Sequence, residues 1–353
     1  MSNPPRFPAT ALLEFATGLL QRAGMEADKA KATADILLEG DLLGHTTHGL
    51  QLLPLYLSEL EKGQMTHAGQ YQVIADFPAA VTWDGRRLPG PWLTLEAIAL
   101  GIERAKKLGT CVVVIRRSHH IACLAAYLKR VTDQGLMILL TCSDPAGTAV
   151  APHGGYRGVY TPNPLAAGWP TDGDPVMLDV CQSITTNLMT RRLHAAGNKF
   201  PGLWAVDNQG QPSDDPGVLF TNPPGALLPM GGVDHGHKGY ALGLLVEALT
   251  AGLSGHGRAD PSEGWTATTY IQIMQPALFG GSDNFSRQMS WLSDACHQSP
   301  PRPGFERVRL PGENGLRRRE AQLKQGLELH PGIIPALQPW MEKLAIPFPA
   351  ALP

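Results

Sequence analysis

The stretch Asp234-His-Gly-His-Lys-Gly-Tyr-Ala-Leu-Gly-Leu-Leu-Val-Glu-Ala-Leu-Thr-Ala-Gly-Leu-Ser-Gly255 joins two unlike halves. The first is short, polar and rich in glycine, with two histidines and a lysine. The second is apolar, interrupted by small residues and one carboxylate, Glu247. A run from about Tyr240 to Leu253 is too long for a typical strand and predicts a largely buried helix. Gly255 suits its stop, because glycine takes the left-handed conformation that closes a helix end. Gly236, His237, Lys238 and Gly239 then stand at the helix mouth. Unpaired N–H groups, the positive end of the helix dipole and a lysine favour an anion there. A buried helix with a merely solvated entry has the same composition, so the neighbouring segments must decide.

Helical spacing predicts helices over Thr10–Gln21, Asp28–Leu43 and Leu50–Leu60, making the N-terminus a helical unit. Alternation over Tyr71–Phe77 and Ala79–Trp83, before Asp84-Gly85, predicts two strands. Leu93–Lys107 is an amphipathic helix. Cys111–Ile115 and Met137–Thr141 read as buried strands separated by a helix near Leu124–Val131, the pattern of a crossover unit in a partly parallel sheet. Val176–Val180 is a further strand and Ser183–Ala195 a helix. Gly202–Gly232 is a long irregular connection. Beyond the opening stretch, helices are expected at Met289–Cys296, Arg317–Leu327 and Ile334–Leu344, with a short strand at Arg307–Leu310. The class is α/β, of mixed α+β kind.

The 353 residues carry 29 Lys plus Arg against 31 Asp plus Glu, a net charge of -2 that excludes a general nucleic-acid binder. Only 17% of residues are charged while 43% are hydrophobic, so a partner subunit is expected to cover part of the surface. Cys111, Cys123, Cys142, Cys181 and Cys296 form no Cys-x-x-Cys pair and are expected to be reduced. The N-terminus shows no charged apolar leader, and no apolar run is long enough to span a bilayer. The expectation is a cytoplasmic protein without a membrane segment.

Neither Gly-x-Gly-x-x-Gly after a strand nor a Gly-x-x-x-x-Gly-Lys-Ser/Thr loop occurs, so an ordinary dinucleotide fold is not indicated. Histidines cluster at His45/His48, His119/His120 and His235/His237. None has the carboxylate spacing of a zinc motif, and no metal is expected. His48 and His120 sit beside glycine or small residues at element boundaries. There an imidazole can face a cleft and exchange a proton, although a satisfied core or surface histidine is the commoner case.

Thr47-His48-Gly49-Leu50-Gln51-Leu52-Leu53-Pro54-Leu55-Tyr56 resembles the Ser-His-Gly-Val-x-Arg-x-Pro-x-Tyr motif of the type-2 malate/L-lactate dehydrogenase family. Thr82–Gly85, Ser118–Ile121, Asn163–Ala166, Asp179–Ser183, Ala205–Pro212, His237–Leu242 and Leu310–Glu313 resemble further family motifs, in the family's order. The resemblance implies an NAD- or NADP-dependent oxidoreductase acting on a small carbonyl, imine or 2-hydroxy/2-oxo acid. It implies a fold unlike the Rossmann type, with a large mixed sheet for the cofactor, a helical domain from both chain ends, and a homodimer. Residues 1–75 would be the helical unit, 76–115 a connecting strand/helix unit, 116–300 the nucleotide-binding domain and 301–353 the return to the helical domain. By the same resemblance His48 is the proton donor or acceptor, with His120 a second candidate. Ser143, Asp179, Val180, Cys181, Gln182, Ser183, His237, Lys238, Gly239, Pro311, Gly312 and Glu313 would hold the cofactor.

Departures concentrate on the substrate side, at Thr47, Leu52 and Pro162. Leu52 stands where the family has arginine, which would clamp a carboxylate with two parallel hydrogen bonds. Thr47 replaces serine, Pro162 replaces threonine, and Thr161, Ala122 and Ala125 stand where glycine is frequent. Two readings follow. One is a reductase whose substrate is less acidic or is held by another arginine, such as Arg157 or Arg192. The other is a degenerate relative that binds nucleotide or a partner without turnover. On the first reading, Leu52→Arg is expected to raise activity on a simple 2-oxo acid.

Overall fold

The computed structural model describes residues 4–262 and 264–352. Strand β1 (Arg6–Phe7) leads into helices α1 (Ala9–Arg22), α2 (Ala27–Leu43) and α3 (Leu53–Glu61). In α1 the buried residues Leu12, Phe15, Ala16, Leu19 and Leu20 recur at helical spacing and form its inward stripe. Helix α2 closes on Gly44 at φ 91°, a left-handed stop that turns the chain into the His45–Gly49 loop. Pro54 falls in the first turn of α3, where a missing N–H removes no helical bond.

Strands β2 (Gln72–Phe77) and β3 (Ala80–Asp84) are followed by α4 (Gly90–Leu108), β4 (Thr110–His119) and α5 (Ala125–Thr132). Then come β5 (Met137–Ser143), β6 (Leu165–Trp169), β7 (Val176–Val180) and α6 (Asn187–Ala195). The Gly202–Gly232 connection contains a small sheet of β8 (Ala205–Val206), β9 (Pro212–Ser213) and β10 (Ala226–Leu227). The chain ends with α7 (Gly232–Glu247), β11 (Thr266–Met274), α8 (Ser282–Gln298), α9 (Glu313–Gln325), β12 (Leu327–Glu328) and α10 (Ile333–Leu344).

The main sheet has seven strands in the order β2-β3-β4-β11-β5-β6-β7. Only β3 and β4 pair directly in parallel, with β3-α4-β4 as their crossover unit. The crossover expected between Cys111–Ile115 and Met137–Thr141 is present in split form: β4 and β5 run in the same direction, joined through α5, with another strand inserted between them. Strand β11 lies between β4 and β5 and runs antiparallel to both. It is buried along almost all of its length, so the alternation that marks a half-exposed strand is missing. The 76–115 segment supplies β3, α4 and β4 directly to this sheet. Arg307–Leu310, expected as a strand, is irregular.

The two chain ends meet. Arg6 and Phe7 pair with Glu328 and Leu327. Phe348 packs edge-on against Phe7 and Phe15 at 5.1 and 4.9 Å. Arg319 of α9 bonds Glu39 of α2 at 2.6 Å. The helical layer is therefore drawn from both termini.

Helix α7 differs from its expectation in extent and in facing. It starts at Gly232, kinks at His235 (φ -125°, ψ 15°), and runs through a π-turn at Ala248–Gly252. Its buried residues are Gly232, Gly236, Gly239, Gly243 and Val246, while Leu242, Leu244 and Leu245 face outward. The glycines recur at helical spacing and let backbone pack directly on its neighbours. A Cβ on Gly239 would lie 2.5 Å from the Met230 backbone, and one on Gly243 would lie 2.7 Å from the Tyr160 ring. Among the described residues, no helix is long and apolar enough to cross a membrane.

Candidate active site

His48 is aimed by the turn that follows α2. The buried Asp41 carboxylate accepts the Leu50 N–H at 2.7 Å, and any Cβ on Gly49 would collide with that carboxylate. Glycine at 49 is therefore what lets the loop close over Asp41. Burial pushes the Asp41 carboxyl up to about 7, the Leu50 N–H and the charge of Arg192 opposing that rise. The Thr47 hydroxyl lies 2.9 Å from His48 Nδ1 and fixes the ring.

His48 and His120 line one cavity of about 510 Å³. Desolvation lowers the His48 pKa to about 4; the Asp179 charge works against this, while His45 and Arg192 add to it. The imidazole is thus neutral at neutral pH and faces a carboxylate in the same cavity. His120 follows β4. Its Nδ1 accepts the Ala122 N–H at 3.3 Å, so the neutral ring carries its proton on Nε2. The Tyr56 hydroxyl lies 2.8 Å from the same Nδ1. Trp265 stacks on His120 at 4.2 Å between centroids, and His48 lies 6.0 Å away on a nearly parallel ring.

Asp179, at the end of β7, accepts the Ala125 N–H at 2.8 Å. The cavity also takes in Thr47, Ser143, Pro162, Val180, Cys181 and Ser183. Ser143 donates to Glu247 at 2.7 Å, and Arg258 donates to Glu247 at 2.9 Å and to Ser143 at 3.1 Å. Asn163 adds a 2.9 Å bond to Glu247. Glu247 of α7 is thereby tied to the cavity wall through an ion pair.

A second cavity, of about 800 Å³, shares His45, Asp179 and Val180 with the first and takes in Pro311 and Gly312. Gly312 has φ 91°, and a Cβ there would lie 2.9 Å from Met177. Glu313 instead accepts the Leu310 N–H at 3.0 Å and pairs with Arg307. Among the described residues, Gln182, His237, Lys238, Gly239 and Glu313 line neither cavity. Gln182 and Gly239 are close behind the wall: the Gln182 carbonyl accepts the Met230 N–H at 2.7 Å, and the Met230 carbonyl accepts the Gly239 N–H at 3.2 Å. His237 and Lys238 are exposed. Leu52 lies in the apolar core with 0% exposure and does not line the cavity. Its partners Leu50, Leu53 and Tyr56 are equally enclosed, which explains a leucine there.

The reading of the residues did not single out Trp265, Arg258 or Asp41. Trp265 and Arg258 lie in the loop between α7, with its π-turn, and β11, and only the folded chain brings them to His120 and Glu247. Of the two arginines considered as carboxylate holders, Arg157 is exposed. Arg192 bonds Thr46 at 3.1 Å and Gln51, beside the His48 loop, and its buried Nε has no partner. His45, Cys123 and Asp179 converge within 4.8 Å at the junction of the cavities. Burial holds the Cys123 thiol strongly protonated, which opposes the thiolate a metal requires.

The joined cavities fit a dinucleotide: one end holds two imidazoles, the other an apolar and cationic wall, and Asp179 and Val180 line both. The malate/L-lactate dehydrogenase family model matches residues 7–338. An L-lactate dehydrogenase of Cupriavidus necator is 32% identical over 97% of this chain and 99% of its own. A (2R)-3-sulfolactate dehydrogenase (NADP(+)) of Chromohalobacter salexigens is 31% identical over 92% and 94%. In fold the chain is similar to malate dehydrogenase from Entamoeba histolytica, with a TM-score of 0.91, 24% identity, and 99% and 100% of the two chains covered. The chain belongs to the malate/L-lactate dehydrogenase family of NAD(P)-dependent oxidoreductases.

Proposed function

We propose that His48 exchanges the proton in the reversible reduction of a small 2-oxo acid, or a related cyclic imine acid, to its 2-hydroxy or amino product. The nicotinamide, when bound, supplies or accepts the hydride. The chain's own tasks are to hold the substrate, to exclude water and to place a proton at the carbonyl oxygen or imine nitrogen. One observation carries this reading: a desolvated imidazole kept neutral, facing Asp179 inside a cavity. A neutral His48 is ready to take the proton of a hydroxyl group. Asp179 favours the imidazolium that results, and so helps His48 hold the proton it must donate in the reductive direction. His120, with Nε2–H available and its ring held by Trp265 and Tyr56, is suited to donate a hydrogen bond to the same oxygen.

The relatives' names, an L-lactate and a sulfolactate dehydrogenase, support an acid substrate. With leucine at 52, Arg192 is the cation beside the His48 loop that can offset a substrate carboxylate. Retention of two imidazoles and a carboxylate in one cavity favours turnover over a degenerate nucleotide binder. Exposed Leu242, Leu244 and Leu245 on α7, with Trp291 and Leu292 on α8, are the surface we assign to a second copy of the chain. Five unpaired cysteines suit a reducing compartment such as the cytoplasm. The test is oxidation of NADH and NADPH by the oxo acids of lactate, malate and sulfolactate and by a cyclic imine acid. Nucleotide binding without turnover of any of them would overturn the reading.

A further inference from the structure

We propose that the second cavity is a subsite for the adenosine 2′-phosphate and that the protein selects NADPH over NADH. This deepens the reading of the joined cavities as one dinucleotide site, and rests on it. With the nicotinamide beside His48, a dinucleotide crosses the shared residues Asp179 and Val180 and reaches the wall built by the 300–309 segment. That wall carries Arg302, Arg307 and Arg309.

The charges there are unequal in their freedom. Arg307 is neutralised by Glu313 at 2.5 Å. Arg302 lies 4.6 Å above the Phe305 ring, which leaves its N–H edges free. Arg309 is exposed and has no hydrogen-bond or ion-pair partner among the described residues. Two uncompensated guanidinium forks at the far end of the cavity match a phosphate dianion, which each can meet with two hydrogen bonds. An unphosphorylated ribose offers them only neutral hydroxyl acceptors and no opposite charge.

The described residues at the far end of the cavity offer no carboxylate to the ribose hydroxyls, the feature by which Rossmann-type sites favour NADH. Among the described residues, Asp179 is the only carboxylate that lines this cavity, and it stands at the opposite border, engaged by the Ala125 N–H at 2.8 Å. Phe305 and Pro301 add an apolar surface against which the adenine can lie.

Calorimetric titration of the full-length protein with NADPH, NADH, adenosine 2′,5′-bisphosphate and ADP tests this without any substrate. NADPH is expected to bind about tenfold or more tighter than NADH, and the bisphosphate tighter than ADP. The double variant Arg302→Ala/Arg309→Ala should lose about 10- to 100-fold in NADPH affinity while NADH changes by less than about threefold. Arg309→Glu should favour NADH. Equal affinities in the wild type, or equal losses for both nucleotides in the double variant, would overturn the inference and leave the dinucleotide site intact. Failure of every nucleotide to bind would overturn the dinucleotide site itself.

Discussion

Replacing Leu52 with arginine restores the family's residue in the Thr47–Tyr56 motif, and on the motif alone it should create a carboxylate clamp. The folded chain predicts the opposite. Leu52 has 0% exposure and packs in the main core, outside the lining of the His48 cavity. Losing its buried surface costs about 2–3 kcal/mol. A guanidinium placed there without a partner adds about 3–5 kcal/mol. The total, about 5–8 kcal/mol, is comparable with the whole stability of many domains. Urea denaturation followed by tryptophan fluorescence should show a collapse of the midpoint, or recovery only from inclusion bodies. Activity on pyruvate should not rise. A Leu52→Arg protein of normal midpoint with increased pyruvate turnover would refute the placement of this side chain and reinstate the clamp.

Gly49→Ala should push the Asp41 carboxylate off the Leu50 N–H, costing about 2–4 kcal/mol in chemical denaturation and lowering turnover by misaiming His48. Because the folded-state pKa of His48 lies at about 4, below its ordinary value, the unfolded chain takes up that proton first. Its contribution to stability is complete above about pH 6.5 and is lost as pH falls toward 4, about 2–3 kcal/mol once its contact with cavity water is allowed for. The stability difference between wild type and His48→Gln should shrink by that amount between pH 7 and pH 4.5, and a difference independent of pH would argue against a desolvated ring. Asp41 has the reverse sign, its pKa being raised to about 7, so its stabilising protonated form is lost as pH rises. Asp41→Asn should therefore gain about 2–4 kcal/mol at pH 8 and nothing near pH 4, and a gain at both pH values would contradict this.

Helices with one apolar stripe, such as α1 and α4, declare themselves in sequence because burial and the helical period coincide. Strand β11 does not, since near-complete burial erases alternation, though its threonine- and isoleucine-rich composition was a usable signal. Helix α7 shows a subtler failure. Its leucines suggested a buried helix, but glycine spacing put the bare backbone inward and the leucines outward. The site divides along similar lines. His48 and His120 stand in local motifs and meet in one cavity. The Trp265–His120 stack joins residues distant in sequence, and the Arg258–Glu247 pair closes across the π-turn and the loop after it, which no local pattern announces. Lys238, prominent in the stretch that suggested an anion site, is exposed, whereas the free arginines stand at the second cavity.

The central claim is that this cavity performs nicotinamide-dependent oxidoreduction with His48 as the proton carrier. Steady-state turnover of a 2-oxo acid panel by the wild type and His48→Gln, with nucleotide affinity measured in parallel by calorimetry, tests it most directly. The account predicts turnover of at least one acid, a loss in kcat of about 100-fold or more in the variant, and nucleotide affinity within about twofold. Undiminished kcat in His48→Gln, or tight nucleotide binding by a wild type that turns over none of the panel, would contradict it.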